Sequence, residues 1–134
     1  MLEFREYEDK DFTSVAKLIN DSFDIAVNKV EYDPNVYKLV GVLDGEVVSY
    51  LDITFCLDVI KNYKYGYINW VCVSPDTRGK GIGSKMMNEA MSICKDNGCS
   101  KIKLTSNPKR CQAREMYKKC GFTIRETDVF EKVI

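Results

Sequence analysis

The chain has 134 residues, 45% of them apolar and 30% charged, with a formal net charge of zero. That length suits one domain with its own core, and the composition is that of an ordinary globular protein. No apolar run approaches the roughly 18 residues a membrane span needs. The opening "MLEFREYEDKDF" is charged from its third residue, unlike a secretory signal, so a cytoplasmic location is the expectation.

In chain order, "LEFREY" alternates as a strand does. "DKDFTSVAKLINDSF" predicts a helix: Phe12, Val15, Ile19 and Phe23 recur at helical spacing, with Asp9 or Asp11 as cap. "DIAVNKVEYDPN" reads as either a short helix or a loop. "VYKLVGVL", "DGEVV" and "SYLDITFCL" form a hairpin around the turn signal Asp44-Gly45. "KNYKYG" is a polar turn, and "YINWVCVSP" is a strand stopped by Pro75. A helix then runs to about Asn97, with Gly98 as its stop. "KIKLTS" is a strand, and "RCQAREMYKKC" is a helix ended by Gly121. Two closing strands, "FTIRET" and "VFEKVI", are expected after it. This order predicts one α/β (α+β) domain over residues 1–134: a mixed, mostly antiparallel sheet flanked by helices on both faces.

Histidine is absent, which removes Ser-His-Asp and Cys-His mechanisms. The six cysteines contain no C-x-x-C pair. They are read as reduced, small apolar residues, with neither a metal site nor a disulfide framework expected. The charge is uneven. Residues 1–60 hold 13 acids and 5 bases, whereas residues 61–134 hold 7 acids and 15 bases.

The chemistry concentrates in "VSPDTRGKGIGSKMM", residues 73–87, between a strand and a helix. A nucleotide P-loop needs G-x-x-x-x-G-K-[ST], but Gly83-Ser84-Lys85 has the last two in the wrong order. A dinucleotide fingerprint needs glycine at 84 or 86, which are Ser84 and Met86. What fits is R-G-x-G-I-G, whose successive N–H groups can form a nest for a pyrophosphate at a helix start.

That stretch resembles the acyl-CoA-binding motif of the GNAT superfamily of N-acetyltransferases. "NPKRCQAREMYKKCGF" is similar to the family's last helix and following strand. The resemblance is strong over residues 66–123, while the N-terminal third matches in layout only.

The resemblance implies a transferase that moves an acetyl group from acetyl-CoA to a primary amine by direct attack in a ternary complex, with no metal. The pyrophosphate would lie on Arg78, Gly79, Lys80, Gly81, Ile82, Gly83 and Ser84. The pantetheine arm would pair with the strand Val71, Cys72, Val73, with Cys72 facing the opposite way by alternation. A backbone N–H near Val73 would polarise the thioester carbonyl. Asn107 matches a position that contacts the cofactor arm or orders water. Tyr117 matches the general acid that protonates the leaving sulfur.

One position departs from the family pattern. Many relatives carry a glutamate as base on the strand before the glycine turn; the matching residue here is Asn69, which cannot take a proton. A water chain or Asp52 on the neighbouring strand are the two alternatives. Cys111, beside Arg110 and Arg114, would make an acyl-cysteine route conceivable. The acidic half suggests a cationic small-molecule or peptide amine as acceptor. Nucleic acid is not expected, because the basic residues are scattered and no aromatic platform is evident. Homodimers are common in the family. The competing function class is a non-catalytic acyl-CoA-binding sensor.

Overall fold

The computed structural model describes residues 1–134. Five strands lie in sequence order: β1 (Leu2–Glu6), β2 (Val36–Leu43), β3 (Glu46–Asp58), β4 (Tyr63–Val73) and β5 (Lys101–Leu104). Pairing is antiparallel through β4, and β4–β5 is parallel. The helices are α1 (Phe12–Phe23), α2 (Ile82–Asp96) and α3 (Cys111–Lys119).

Alternation along the strands divides the core between the two faces. Leu39, Leu51, Ile53 and Ile68 point to one face and bury Met86, Met87 and Ala90 of α2 and Tyr117 of α3. Val40, Tyr50 and Cys72 point to the other and bury Val15, Leu18 and Ile19 of α1. The mixed sheet with helices on both faces is therefore as expected. Close approach fixes Gly66: a Cβ there would sit 2.4 Å from the Cys94 sulfur, where α2 crosses β4. Cys72 and Cys94 serve as packing groups, and burial pushes both thiols up to about 12.

Two sequence expectations shift, and one open reading resolves to a loop. "YKYG" belongs to β4, not to the preceding turn, because Tyr63 and Tyr65 pair with β3 across from Asp58 and Cys56. The segment 24–35 forms no helix; Asp24 closes α1 in the left-handed region at φ 54°. The two closing strands are absent. Ile124, Val129, Phe130 and Val133 have strand-forming side chains, yet all are exposed. Strand propensity describes fit to a half-buried sheet surface, and these residues have none beneath them.

Asp11 does not cap α1 through its side chain. Its buried carboxylate instead accepts a bidentate pair from Arg5 at 2.7 and 2.9 Å, and the Glu8 N–H at 2.8 Å. The Arg5 bond holds Asp11 below the usual carboxylate range. This stabilisation is present above the ordinary Asp pKa and is lost as pH falls through the depressed folded value. Arg5 is about a third exposed, so solvent screens part of the pair. Asp11→Asn is expected to cost about 2 kcal/mol at neutral pH. In urea titrations, the gap from wild type should narrow at acid pH.

Candidate active site and its relatives

β4 changes character after Ile68. The parallel ladder to β5 ends at Ile68–Leu104, so the β4 edge from Asn69 to Val73 has no strand beside it. On its other side, β4 pairs Asn69 with Asp52 and Cys72 with Tyr50. Two residues of β4, Trp70 and Val71, thus face the single Leu51 of β3, which is a β-bulge. Trp70 takes the left-handed conformation at φ 59° to allow it. Bulges re-aim backbone groups, and this one lies beside the open edge.

The open edge forms one wall of a cleft of about 830 Å³. Val71, Cys72 and Val73 line it, together with Tyr117, Met116 and the start of α3. Val71 and Val73 turn toward the α2 and α3 side, while Cys72 packs under α1, as alternation predicted.

The glycine turn forms the far end of the cleft. Pro75–Thr77 makes a single 3-10 turn, held by the Thr77 hydroxyl donating to the Ser74 carbonyl at 2.9 Å. Gly79 and Gly81 then adopt φ 82° and 71°, and α2 begins at Ile82 with no side-chain cap. The first N–H groups of α2 are therefore left for a ligand or water. Arg78, Gly79, Gly81, Ile82, Gly83 and Ser84 all line the cleft. Lys80 is exposed and does not.

Tyr117 is 9% exposed and presents its ring edge-on to Phe122 at 6.0 Å. No protein group hydrogen-bonds its hydroxyl. Burial raises its pKa, with Arg110 pulling the other way. At neutral pH the hydroxyl is a proton donor without a partner, in the wall of the cleft.

Asn107 lies elsewhere. Its side chain accepts the Lys109 N–H at 2.9 Å in an Asx-type turn and does not line the cleft. Arg110 is the residue that sequence reading missed. Its guanidinium donates to the Ser22 carbonyl at 2.6 Å and lies 4.2 Å from the centre of the Phe23 ring. Phe23 in turn meets Trp70 edge to face at 5.2 Å. These contacts tie the end of α1, the start of α3 and the bulge together. No local signal marks a bond between residues 88 apart.

Cys111 opens α3 and is exposed at the cleft rim. Both neighbouring arginines are directed elsewhere, Arg110 to Ser22 and Arg114 to the Pro108 carbonyl at 3.3 Å. Of the acidic stretch, only Asp21 reaches the cleft, and it is paired with Lys17 at 2.7 Å. Lys101 and Lys103 lie over Tyr63, and Lys103 also over Tyr65, so these rings are engaged by the chain's own lysines.

An open β4 edge beside a bulge, a glycine turn at a helix start and a buried, unpaired tyrosine meet in this one cleft. The chain belongs to the acetyltransferase (GNAT) family, whose model matches residues 2–122. It is 33% identical over 110 residues to GCN5-related N-acetyltransferase 6 of Arabidopsis thaliana, covering 73% of this chain and 38% of that protein. It is 32% identical over 98 residues to an L-amino acid N-acetyltransferase of Escherichia coli, covering 70% and 57%. The chain thus spans well under two thirds of these relatives' length.

Among solved structures, a transcriptional regulator from Bacillus halodurans superimposes with a TM-score of 0.89 at 21% identity, covering 99% and 100% of the two chains. A predicted acetyltransferase from Clostridium acetobutylicum, crystallised with acetyl-CoA, gives 0.76 at 19% identity, covering 98% and 96%. These two show the shared fold. No helix is long and apolar enough to cross a membrane.

Proposed function

We propose that this chain transfers an acetyl group from acetyl-CoA to a primary amine by direct attack within a ternary complex. The observation that carries this reading is the Tyr117 hydroxyl: protonated, without a protein partner, at the tip of a buried ring, and in the same cleft as the glycine turn. A mere core tyrosine would normally find a hydrogen bond for its O–H.

In this reading the N–H groups of the Gly81–Ser84 segment hold the pyrophosphate, assisted by Arg78. The β4 edge from Asn69 to Val73 pairs with the pantetheine arm as an added strand would. Backbone freed at the bulge stabilises the developing oxyanion on the thioester carbonyl. Tyr117 gives its proton to the departing thiolate. Cys111 sits at the exposed rim and has no role in the transfer.

The acceptor is a small-molecule or peptide amine. Relatives are named for L-amino acids, aminoalkylphosphonates and aminoglycosides, which makes these three the panel to test. Acetyl-CoA is incubated with the protein and each amine, and free thiol and N-acetylated product are both quantified. Thiol released one-to-one with product, and only when an amine is present, is the expected result. Tight cofactor binding without release from any amine would instead make the domain an acyl-CoA sensor.

A further inference from the structure

The acceptor side of the bulge carries a carboxylate whose surroundings call for a cation. Asp52 lies on β3, directly opposite Asn69 on β4 and Lys38 on β2. It shares the sheet face with Tyr50, the face that α1 covers from its far end with Val15, Leu18 and Ile19. The Tyr50 hydroxyl donates to Asp52 Oδ2 at 2.9 Å. The Asn69 side chain, across the strand pair, also favours the charged carboxylate. Lys38 favours the charge from a distance but forms no ion pair with it; its ammonium lies over the Tyr7 ring, 5.5 Å from the centroid.

Asp52 is therefore half-buried, held by the Tyr50 hydroxyl, beside the Asn69 amide and without an ion pair. A half-buried carboxylate in that state gains from a cation brought to it or from a proton. Its cross-strand partner Asn69 is the last residue before the bulge. Adjacent strands lie about 4.8 Å apart, so Asp52 stands one strand from the bulge, on the α1 face; neither it nor Asn69 lines the cleft that holds Tyr117.

We infer that Asp52 binds the ammonium group of the acceptor and takes its proton, with Asn69 and Tyr50 as positioning residues. The inference rests on the acetyl-transfer reading and deepens it. The acceptor is then an amine that arrives protonated. One N–H proton passes to the Asp52 carboxylate. The freed nitrogen lone pair forms the C–N bond to the thioester carbonyl carbon, and the C–S bond breaks. Tyr117 protonates the thiolate. The second amine proton leaves as the amide forms and restores Tyr117 through solvent, and Asp52 returns its proton to solvent. One proton is released per turnover.

The remaining titratable and charged groups on this face are Tyr50, Tyr7, Lys38, Cys72 and Arg110, the last reaching in from α3 beside the end of α1. Burial raises the pKa of Asp52, Tyr50, Tyr7 and Cys72. For Asp52 this makes a stronger base than an exposed aspartate, and the other three stay neutral at neutral pH. The acid limb of the rate profile thus falls to Asp52.

The test compares wild type, Asp52→Asn, Asp52→Glu and the exchange Asp52→Asn/Asn69→Asp, using the best amine of the panel. Rates are followed across pH, with acetyl-CoA affinity from calorimetry and melting temperature alongside. Asp52→Asn should lower kcat about 100-fold, raise KM for the amine and flatten the acid limb, with cofactor affinity unchanged. The exchange, which moves the carboxylate one strand over, should recover about tenfold of that loss. Should Asp52→Asn fail to fold, Asp52→Glu keeps the charge but displaces it, and about a tenfold loss of kcat is expected.

Wild-type rates in Asp52→Asn with the acid limb retained overturn the inference. So does an exchange variant no faster than Asp52→Asn, or, where only Asp52→Glu folds, wild-type rates in Asp52→Glu. Absence of turnover in the wild type with every amine overturns the transfer reading itself, and this inference with it.

Discussion

Tyr117→Phe is expected to lower kcat by about 10²–10³-fold while acetyl-CoA affinity stays within about threefold. The ring remains, so the edge-on contact with Phe122 at 6.0 Å and the packing against the α2 side of the core are kept. Only the O–H is lost. Because no protein group bonds that hydroxyl, its removal strands no partner and should barely change the melting temperature. What disappears is the proton for the leaving thiolate, an interaction made as the C–S bond breaks. Such a loss lowers kcat and kcat/KM together.

The pH profile offers a second reading of the same variant. Burial holds Tyr117 above the ordinary tyrosine range, so the acid form persists through neutral pH and is lost only in alkali. The wild type should show a basic limb there, and Tyr117→Phe should lack it. Steady-state kinetics with cofactor titration by calorimetry checks both. An unchanged kcat would mean that the thiolate departs without help from α3.

Gly81→Val should act on binding instead. Gly81 stands at φ 71°, in the left-handed region, and a β-branched residue there is strained by about 1–2 kcal/mol. Nothing lies within 4 Å of a Cβ built at Gly81, so no clash adds to the backbone cost. The strain relaxes by turning the N–H groups away from their common target, which undoes the pyrophosphate nest. Acetyl-CoA affinity is expected to fall about 30-fold or more, with a modest loss of stability. Gly83→Ala makes a useful contrast. Its Cβ would meet Met116 at 3.5 Å, an ordinary contact, and its φ is not positive, so the fold should tolerate it. Equal affinity in wild type and Gly81→Val would place the phosphates elsewhere.

Much of this molecule is legible in one dimension because its signals are local. The strand-to-helix turn at residues 78–84 depends on glycines within a few residues of each other. The α3 stripe of Ala113, Met116, Tyr117 and Cys120 depends on helical period, and all four pack into the core beside α2. The Asp44-Gly45 turn likewise joins β2 to β3, with Asp44 at φ 50° and Gly45 at φ 85°.

The readings that shifted depend on what stands beside a residue in space. "FTIRET" and "VFEKVI" carry the alternation and side chains of strands, but no strand lies next to them to supply hydrogen bonds. Asn107 follows a strand and precedes a proline, which suits both a cofactor contact and a turn; its Oδ1 accepts the Lys109 N–H in the turn, while its amide nitrogen has no partner in the protein. Arg110 looked like a local neighbour of Cys111, yet its length carries it across the cleft to Ser22 and Phe23.

The sequence by itself determined the glycine turn, the helix that bears Tyr117 and membership of the fold class, because each rests on spacing along the chain. Tertiary structure alone decided that the β4 edge opens after Ile68, that Trp70 and Val71 bulge, and that Asp52 sits across from Asn69 without an ion pair. Strand register brings residues 17 positions apart into contact, and register is set by the packing of whole faces, which no short window contains.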